Sequence, residues 1–205
     1  MISGVKMDST VPYGKELIII LISYVLGCFS TGYYLVRLRT GQDLRRLGSG
    51  STGGTNAGRV LGKSGFIITM LGDMLKGAIA VWIAIYFGAG SWAMGFVIFA
   101  AVAGHIFPVQ LGFHGGKGLA TALGALLVFD FRLALVIAAL AGLLGLLSRQ
   151  LMLSMMFVIL VSPFITIWMG YAFLLVLGLA LTAFIILVAH RENLVLSLKN
   201  IRVWT

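Results

Sequence analysis

Polar and apolar positions fall into long blocks along this chain. Seven apolar runs, at 17–38, 66–88, 92–109, 119–129, 133–147, 152–169 and 171–189, are separated by short polar stretches. Blocks of this length read as helices that cross a bilayer, which takes about 20 apolar residues. The pattern predicts an all-α fold, a polytopic membrane helix bundle of about seven transmembrane helices. The fourth run is too short to cross alone. It fits if the bilayer is thinned there or if the glycine-rich stretch before it dips inward, so five or six spans is the alternative count. The first run is longer than a signal-peptide core and lacks a clear small-residue cleavage site, so it reads as a retained span. Residues 1–14 read as a short, loosely ordered tail.

Composition sharpens the class. Of 205 residues, 60% are hydrophobic and 10% charged, and mean hydropathy is +1.07, whereas soluble domains carry about 25% charged residues. No separate soluble domain or internal repeat is evident, so residues 1–205 read as one integral-membrane domain. Charge placement orients it. With the N-terminus outside and the C-terminus cytoplasmic, eleven basic residues fall on the inner side: Arg37, Arg39, Arg45, Arg46, Arg59, Lys63, Lys117, Arg149, Arg191, Lys199 and Arg202. Lys6, Lys15 and Arg132 fall outside, and Lys76 lies within a span. This follows the positive-inside rule. The net charge of +9 has the same topological source and implies no nucleic acid. A lone cysteine, Cys28, excludes an internal disulfide and a cysteine-based metal site. The three histidines occupy two loops without a carboxylate pair, so no metal site is expected.

Three polar clusters then face the cytoplasm. The first, 48–59, holds Ser49, Gly50, Thr55, Asn56 and Arg59 in the longest loop between spans. Hydroxyls, exposed N–H groups and a bidentate guanidinium suit phosphate oxygens; a flexible linker whose arginines only set topology is the alternative. The second runs from Gly104-His105 through Pro108 to Gly115-Gly116-Lys117-Gly118. Glycines open the backbone, Lys117 adds a point charge, and a helix starting just beyond directs its positive end at the same spot. The alternative is a proline-ended helix with glycines for close packing. The third, His190-Arg191-Glu192-Asn193, closes the last run. His190 and Asn193 share a helical face and suit either a substrate hydroxyl or support of a neighbouring loop; Arg191 reads as a stop signal. Asp73 and Lys76, three apart within a span, are either a functional pair or a structural one. No Gly-x-Ser-x-Gly elbow, cysteine nucleophile or His-x4-Asp pattern is present. Acyl transfer here would need an already activated donor, with the protein acting by positioning and charge. A transporter or channel for a small phosphorylated anion, or a non-catalytic scaffold, are the other classes open to such a chain.

The three clusters together resemble the bacterial membrane glycerol-3-phosphate acyltransferases that use acyl phosphate, the PlsY family. That family's first motif, Gly-Ser-Gly-Asn-Pro-Gly-Ala-Thr-Asn-x-x-Arg, is similar to Gly48-Ser-Gly-Ser-Thr-Gly-Gly-Thr-Asn-Ala-Gly-Arg59. The second is matched by Gly104-His-Ile-Phe-Pro-Val109 with Phe113-His-Gly-Gly-Lys-Gly-Leu-Ala-Thr121, and the third by His190-Arg-Glu-Asn-Leu194. Asp73-Met-Leu-Lys-Gly77 also fits. Ser51, Thr52 and Gly54 depart from the first motif. Only Ser154 remains of the serines that follow Arg149 in the family, and Leu196, Ser197 and Leu198 interrupt the third. The resemblance implies acyl transfer from acyl phosphate to the 1-hydroxyl of glycerol 3-phosphate, giving lysophosphatidic acid for phospholipid biosynthesis. It implies a multi-pass protein of the bacterial inner membrane with its active site on the cytoplasmic face. It also implies that Ser49, Lys117, His190 and Asn193 are catalytic. Ser49, Gly50, Thr55, Asn56, Arg59, His105, Gly115, Gly116, Lys117 and Gly118 are then the phosphate-binding residues. No cofactor is implied. The expected partners are the two substrates, membrane lipid and other enzymes of phospholipid synthesis.

Overall fold

The computed structural model describes residues 14–195, so Lys6, Lys199, Arg202 and the departures at 196–198 lie outside the described residues. Eight α-helices are described: α1 (Gly14–Cys28), α2 (Thr31–Thr40), α3 (Gly54–Tyr86), α4 (Ser91–Ile106), α5 (Leu119–Phe129), α6 (Phe131–Ser148), α7 (Leu151–Trp168) and α8 (Phe173–Ala189). The bundle is all-α, as its apolar blocks predict. Five segments are long and apolar enough to cross a membrane alone: Gly14–Thr40, Gly54–Tyr86, Ser91–Leu111, Phe131–Ser148 and Leu151–Trp168. α5 and α8 are shorter apolar helices.

Two elements differ from the sequence reading. The first run breaks into α1 and α2 at Phe29 and Ser30, with Ser30 extended (φ −99°, ψ 91°). The break leaves backbone carbonyls without helical partners, and other elements supply donors. Lys76 Nζ donates to Phe29 O at 2.5 Å and Gln110 Nε2 to Cys28 O at 2.5 Å. The second difference lies in the first cluster, whose second half is helical. α3 starts at Gly54, and at Gly62 it reverses through a left-handed backbone (φ 70°, ψ −161°). Residues 54–61 fold back on the main shaft, so Gly54 and Gly58 lie against Phe66. Thr55, Asn56 and Arg59 therefore sit on a helical turn that is pinned to α3, and the flexible-linker reading of this part of the cluster fails.

Glycines set the closest contact in the bundle. On α3 and α5, a Cβ at Gly77 would overlap the carbonyl of Thr121, and one at Gly124 would overlap the carbonyl of Met74. This contact holds α5, only 11 residues long and about 16 Å at 1.5 Å per residue, flat against the longer helix. A single aspartate joins α5 to α6. Asp130 ends α5 and accepts the N–H groups of Arg132 (2.8 Å) and Leu133 (3.2 Å) at the start of α6. Large apolar side chains such as Leu21, Leu75, Trp82, Leu146 and Phe164 point outward, as expected where lipid replaces water. The interior has two main layers. One joins Val81, Ile98, Leu133 and Leu179; the other joins Val102, Ile106, Met156 and Ile186. Gly124→Leu forces α3 and α5 apart and should destabilise the protein by about 1–3 kcal/mol, read as a lower unfolding midpoint in detergent micelles.

Candidate active site

The first cluster is shaped around one amide. Asn56, 1% exposed, accepts the Ser49 N–H (3.0 Å) and donates to the carbonyls of Leu44 (3.3 Å), Leu47 (2.9 Å) and Ser51 (2.9 Å). Both of its N–H donors go to the loop, so the phosphate-binding role expected for it, which needs a donor, is corrected: it is a brace. Arg45 is the second brace, and sequence reasoning credited it with topology only. Its guanidinium pairs with Asp43 at 2.6 Å, donates to Leu111 O at 2.8 Å and lies over the Tyr33 ring. The hydrogen bond from Arg45 holds the Asp43 carboxyl down at about 2. An aspartate two residues before an arginine, with a tyrosine upstream, was the available sequence signal.

The second cluster is tied to the first by backbone. Thr52 N–H donates to Gly115 O (3.2 Å), Gly115 N–H to Ile106 O (3.1 Å) and Gly116 N–H to His105 O (3.0 Å). Gly115 and Gly116 thus spend their N–H groups inside the protein, which corrects the expectation that those groups bind phosphate. Their smallness has another cause: a Cβ at Gly116 would overlap the His105 imidazole. Gly118 is left-handed (φ 88°) and starts α5, so a helix N-terminus does follow Lys117 directly. Lys117 itself crosses to the third cluster, donating to Asn193 Oδ1 at 2.7 Å. Burial lowers its pKa and Arg59 lowers it further, with Glu192 opposing. His190 is buried at the end of α8. A carbonyl only accepts, so the 2.8 Å contact of its Nδ1 with Ile186 O puts the ring proton on Nδ1 and leaves Nε2 as an acceptor. Burial is the main cause of a lowered His190 pKa; the bond to Ile186 opposes it and Lys117 adds to it.

These groups share one cleft of about 750 Å³. Ser49, Thr55, Asn56, Arg59, His105, Lys117, Gly118, His190 and Asn193 all line it; Gly50, Gly115 and Gly116 do not. Beyond this polar end the walls are apolar side chains of α5, α6, α7 and α8, such as Leu123, Ile137, Met155 and Ile186. The arrangement fits an amphiphile: phosphate oxygens at Arg59 and Lys117, an alkyl chain between the helices.

Under the polar end lies a buried charged cluster. Lys76 Nζ meets Asp73 Oδ1 at 3.1 Å, His105 Nδ1 at 2.7 Å and Phe29 O. Asp73 Oδ1 also accepts from Thr31 Oγ1 at 3.1 Å and lies 3.6 Å from His105 Nδ1. Asp73, Lys76 and His105 are 1%, 5% and 3% exposed. An ammonium only donates, so His105 Nδ1 accepts and its neutral ring carries the proton on Nε2. Lys76→Met leaves a buried carboxylate without its cation and should cost about 3–5 kcal/mol. In a denaturant titration in micelles, Asp73→Asn/Lys76→Met should lose less than the sum of its single variants.

Comparison with known proteins fits this geometry. The sequence model of the family described as glycerol-3-phosphate acyltransferase matches residues 17–200. Glycerol-3-phosphate acyltransferase 1 of Desulfitobacterium hafniense is 48% identical over 179 residues, covering 87% of this chain and 89% of that protein. The glycerol-3-phosphate acyltransferase of Rubrobacter xylanophilus is 42% identical over 178 residues, with 87% and 89% covered. Two crystal structures of PlsY (YgiH), an integral membrane glycerol 3-phosphate acyltransferase, share the fold. Its glycerol 3-phosphate form superposes with a TM-score of 0.82 at 34% identity over 91% of this chain and 94% of that one. The lysophosphatidic acid form gives 0.79 at 31%, over 91% and 93%. With most of its motif residues gathered on one cleft and its fold shared with these enzymes, the chain belongs to the glycerol-3-phosphate acyltransferase family and is an acyltransferase.

Proposed function

We propose that this protein transfers an acyl group from acyl phosphate to the 1-hydroxyl of glycerol 3-phosphate, giving lysophosphatidic acid and inorganic phosphate. The observation that carries the reading is the contact of Lys117 with Asn193 at 2.7 Å, in a cleft cationic at one end and apolar along the rest. Both reactants carry phosphate, and the polar end offers two cations, Arg59 and Lys117, beside the N-terminus of α5. Ser49 adds a hydroxyl contact. The hydroxyl oxygen of the acceptor attacks the acyl carbon, the bond from that carbon to the phosphate oxygen breaks, and phosphate leaves with the pair of electrons. The acceptor's proton ends on that phosphate, so no protein base has to hold it at the end of the reaction. His190, with Nε2 as an acceptor, and Asn193 orient the attacking hydroxyl. Lys117 and Arg59 bear the charge that grows on the leaving phosphate.

The same reading makes residues 1–205 one catalytic domain of a bacterial inner membrane, with the N-terminus outside and the cleft open to the cytoplasm. The arginines and lysines grouped near the polar end support that orientation. A transporter for a phosphorylated anion would need polar groups along the whole path. Here the far end of the cleft is walled by Ile98, Leu133 and Leu179, which disfavours it.

Purified protein supplied with acyl phosphate and radiolabelled glycerol 3-phosphate should form lysophosphatidic acid. Lys117→Ala should lower kcat/KM by about 10²–10³-fold, the range for losing one charge-stabilising donor, while its unfolding midpoint stays near that of the parent. Wild-type turnover in that variant would refute the role given to Lys117. The pH profile supplies a second check. Lys117 works as the cation and its pKa is lowered, so kcat/KM, which reports the free enzyme, should fall as pH rises through that lowered value. Lys117→Arg, always charged at these pH values, should retain part of the activity and move the alkaline limb upward.

A further inference from the structure

The apolar arm of the cleft has a built end. Four of the helices that wall it run alternately toward and away from Lys117. α5 leaves from Gly118, α6 returns from Leu133, α7 leaves from Leu151, and α8 returns from Leu179 to His190. Leu133, Thr166 and Leu179 are therefore gathered at the end remote from the phosphate groups. Ile98 joins them, and these four are 0%, 1%, 8% and 0% exposed in that order. Ile98, Leu133 and Leu179 are also members of one packed layer, so the cleft stops where the core begins.

This end is held rigidly. Asp130 caps α6, and the Tyr171 hydroxyl donates to it at 2.6 Å. The Phe129 and Tyr171 rings meet at 5.9 Å between centroids. The corner between α5 and α6 is thus stapled to the turn between α7 and α8. Hydroxyls inside the arm are neutralised locally: Thr166 Oγ1 donates to Pro163 O (2.6 Å) and Thr182 Oγ1 to Gly178 O (2.9 Å). On α6, Ala134, Ala138 and Ala141 line one side, and their small side chains leave space for an alkyl chain. From His190 to Leu179 the arm extends about 16 Å, at 1.5 Å per helical residue.

We propose that Leu133 and Leu179 form an end stop that sets the acyl-chain length this enzyme accepts. The proposal rests on the acyl-transfer reading, in which the arm holds the acyl chain. A chain that reaches the stop gains the contact of each added methylene, and one that exceeds it has to displace core side chains.

The test uses the purified full-length protein and two ladders of graded saturated chain length. One ladder is acyl phosphates, read as kcat/KM; the other is lysophosphatidic acids, read as Kd by calorimetry. Both should rise with chain length and then break at one length. Leu179→Ala and Leu133→Ala should move the break to longer chains, changing the long-to-short ratio by about tenfold, with KM for glycerol 3-phosphate unchanged. Ala138→Leu narrows the arm without removing core volume and should move the break to shorter chains, which keeps the test decisive if the leucine variants misfold. A break that stays in place in folded variants on both ladders overturns the end stop. Lysophosphatidic acid binding that follows the predicted shifts, without turnover of any acyl phosphate, overturns the donor assignment and leaves the stop standing.

Discussion

The architecture depends on the three hydrogen bonds of one buried ammonium. Lys76 has three N–H donors and three acceptors around it: Asp73 Oδ1, His105 Nδ1 and Phe29 O. A cation inside a bundle is costly to leave unpaired, so these contacts are obligatory once lysine occupies that site. Each fixes a different element. Phe29 O belongs to the break between α1 and α2, which is tolerated because its carbonyl is satisfied. Asp73 returns to α2 through Thr31. His105 is the last turn of α4, and its ring is the surface on which Gly116 is laid.

From that surface the link continues by backbone. Gly116 and Gly115 bond to His105 and Ile106, and Gly115 O receives Thr52 from the first cluster. The position of Lys117 is thus transmitted from Lys76 through three short contacts, and Asn193 meets it there. Charge is separated along the way. The buried cation is matched by Asp73, while the opposite charge acting on Lys117 is that of the exposed Glu192. That leaves net positive charge at the polar end of the cleft.

The apolar runs made the helices legible, and the order of the three clusters made their convergence legible. Run length separates a bilayer span from a strand without tertiary information, and α5 kept its expected short bounds of 119–129. The reversal at Gly62 was not legible. A glycine between Leu61 and Lys63 looks like any other helical glycine, and only the packing of Phe66 on Gly54 and Gly58 decides that the chain turns back. The N–H directions of Gly115 and Gly116 were hidden for the same reason. A glycine-rich loop beside a lysine predicts exposed donors, yet the partners that consume them belong to α4, distant in sequence logic though only nine to eleven residues away. Asn56 shows the converse. Its residue type suits ligand binding, and four backbone groups of its own loop use it up.

The brevity of α5 now has a physical account. An 11-residue helix clamped to α3 by Gly77 and Gly124 begins just after Gly118, beside the cleft that the first cluster also lines. Partial burial there lowers the Lys117 pKa and strengthens the charge interactions it makes, because the local dielectric is lower than that of water. A phosphate brought to it restores the balance, since an anion favours the protonated amine. The short helix, the close glycine contact and the shifted lysine are therefore one device. It holds a half-buried lysine at the polar end of an apolar arm, an arrangement suited to a ligand that is phosphate at one end and hydrocarbon at the other.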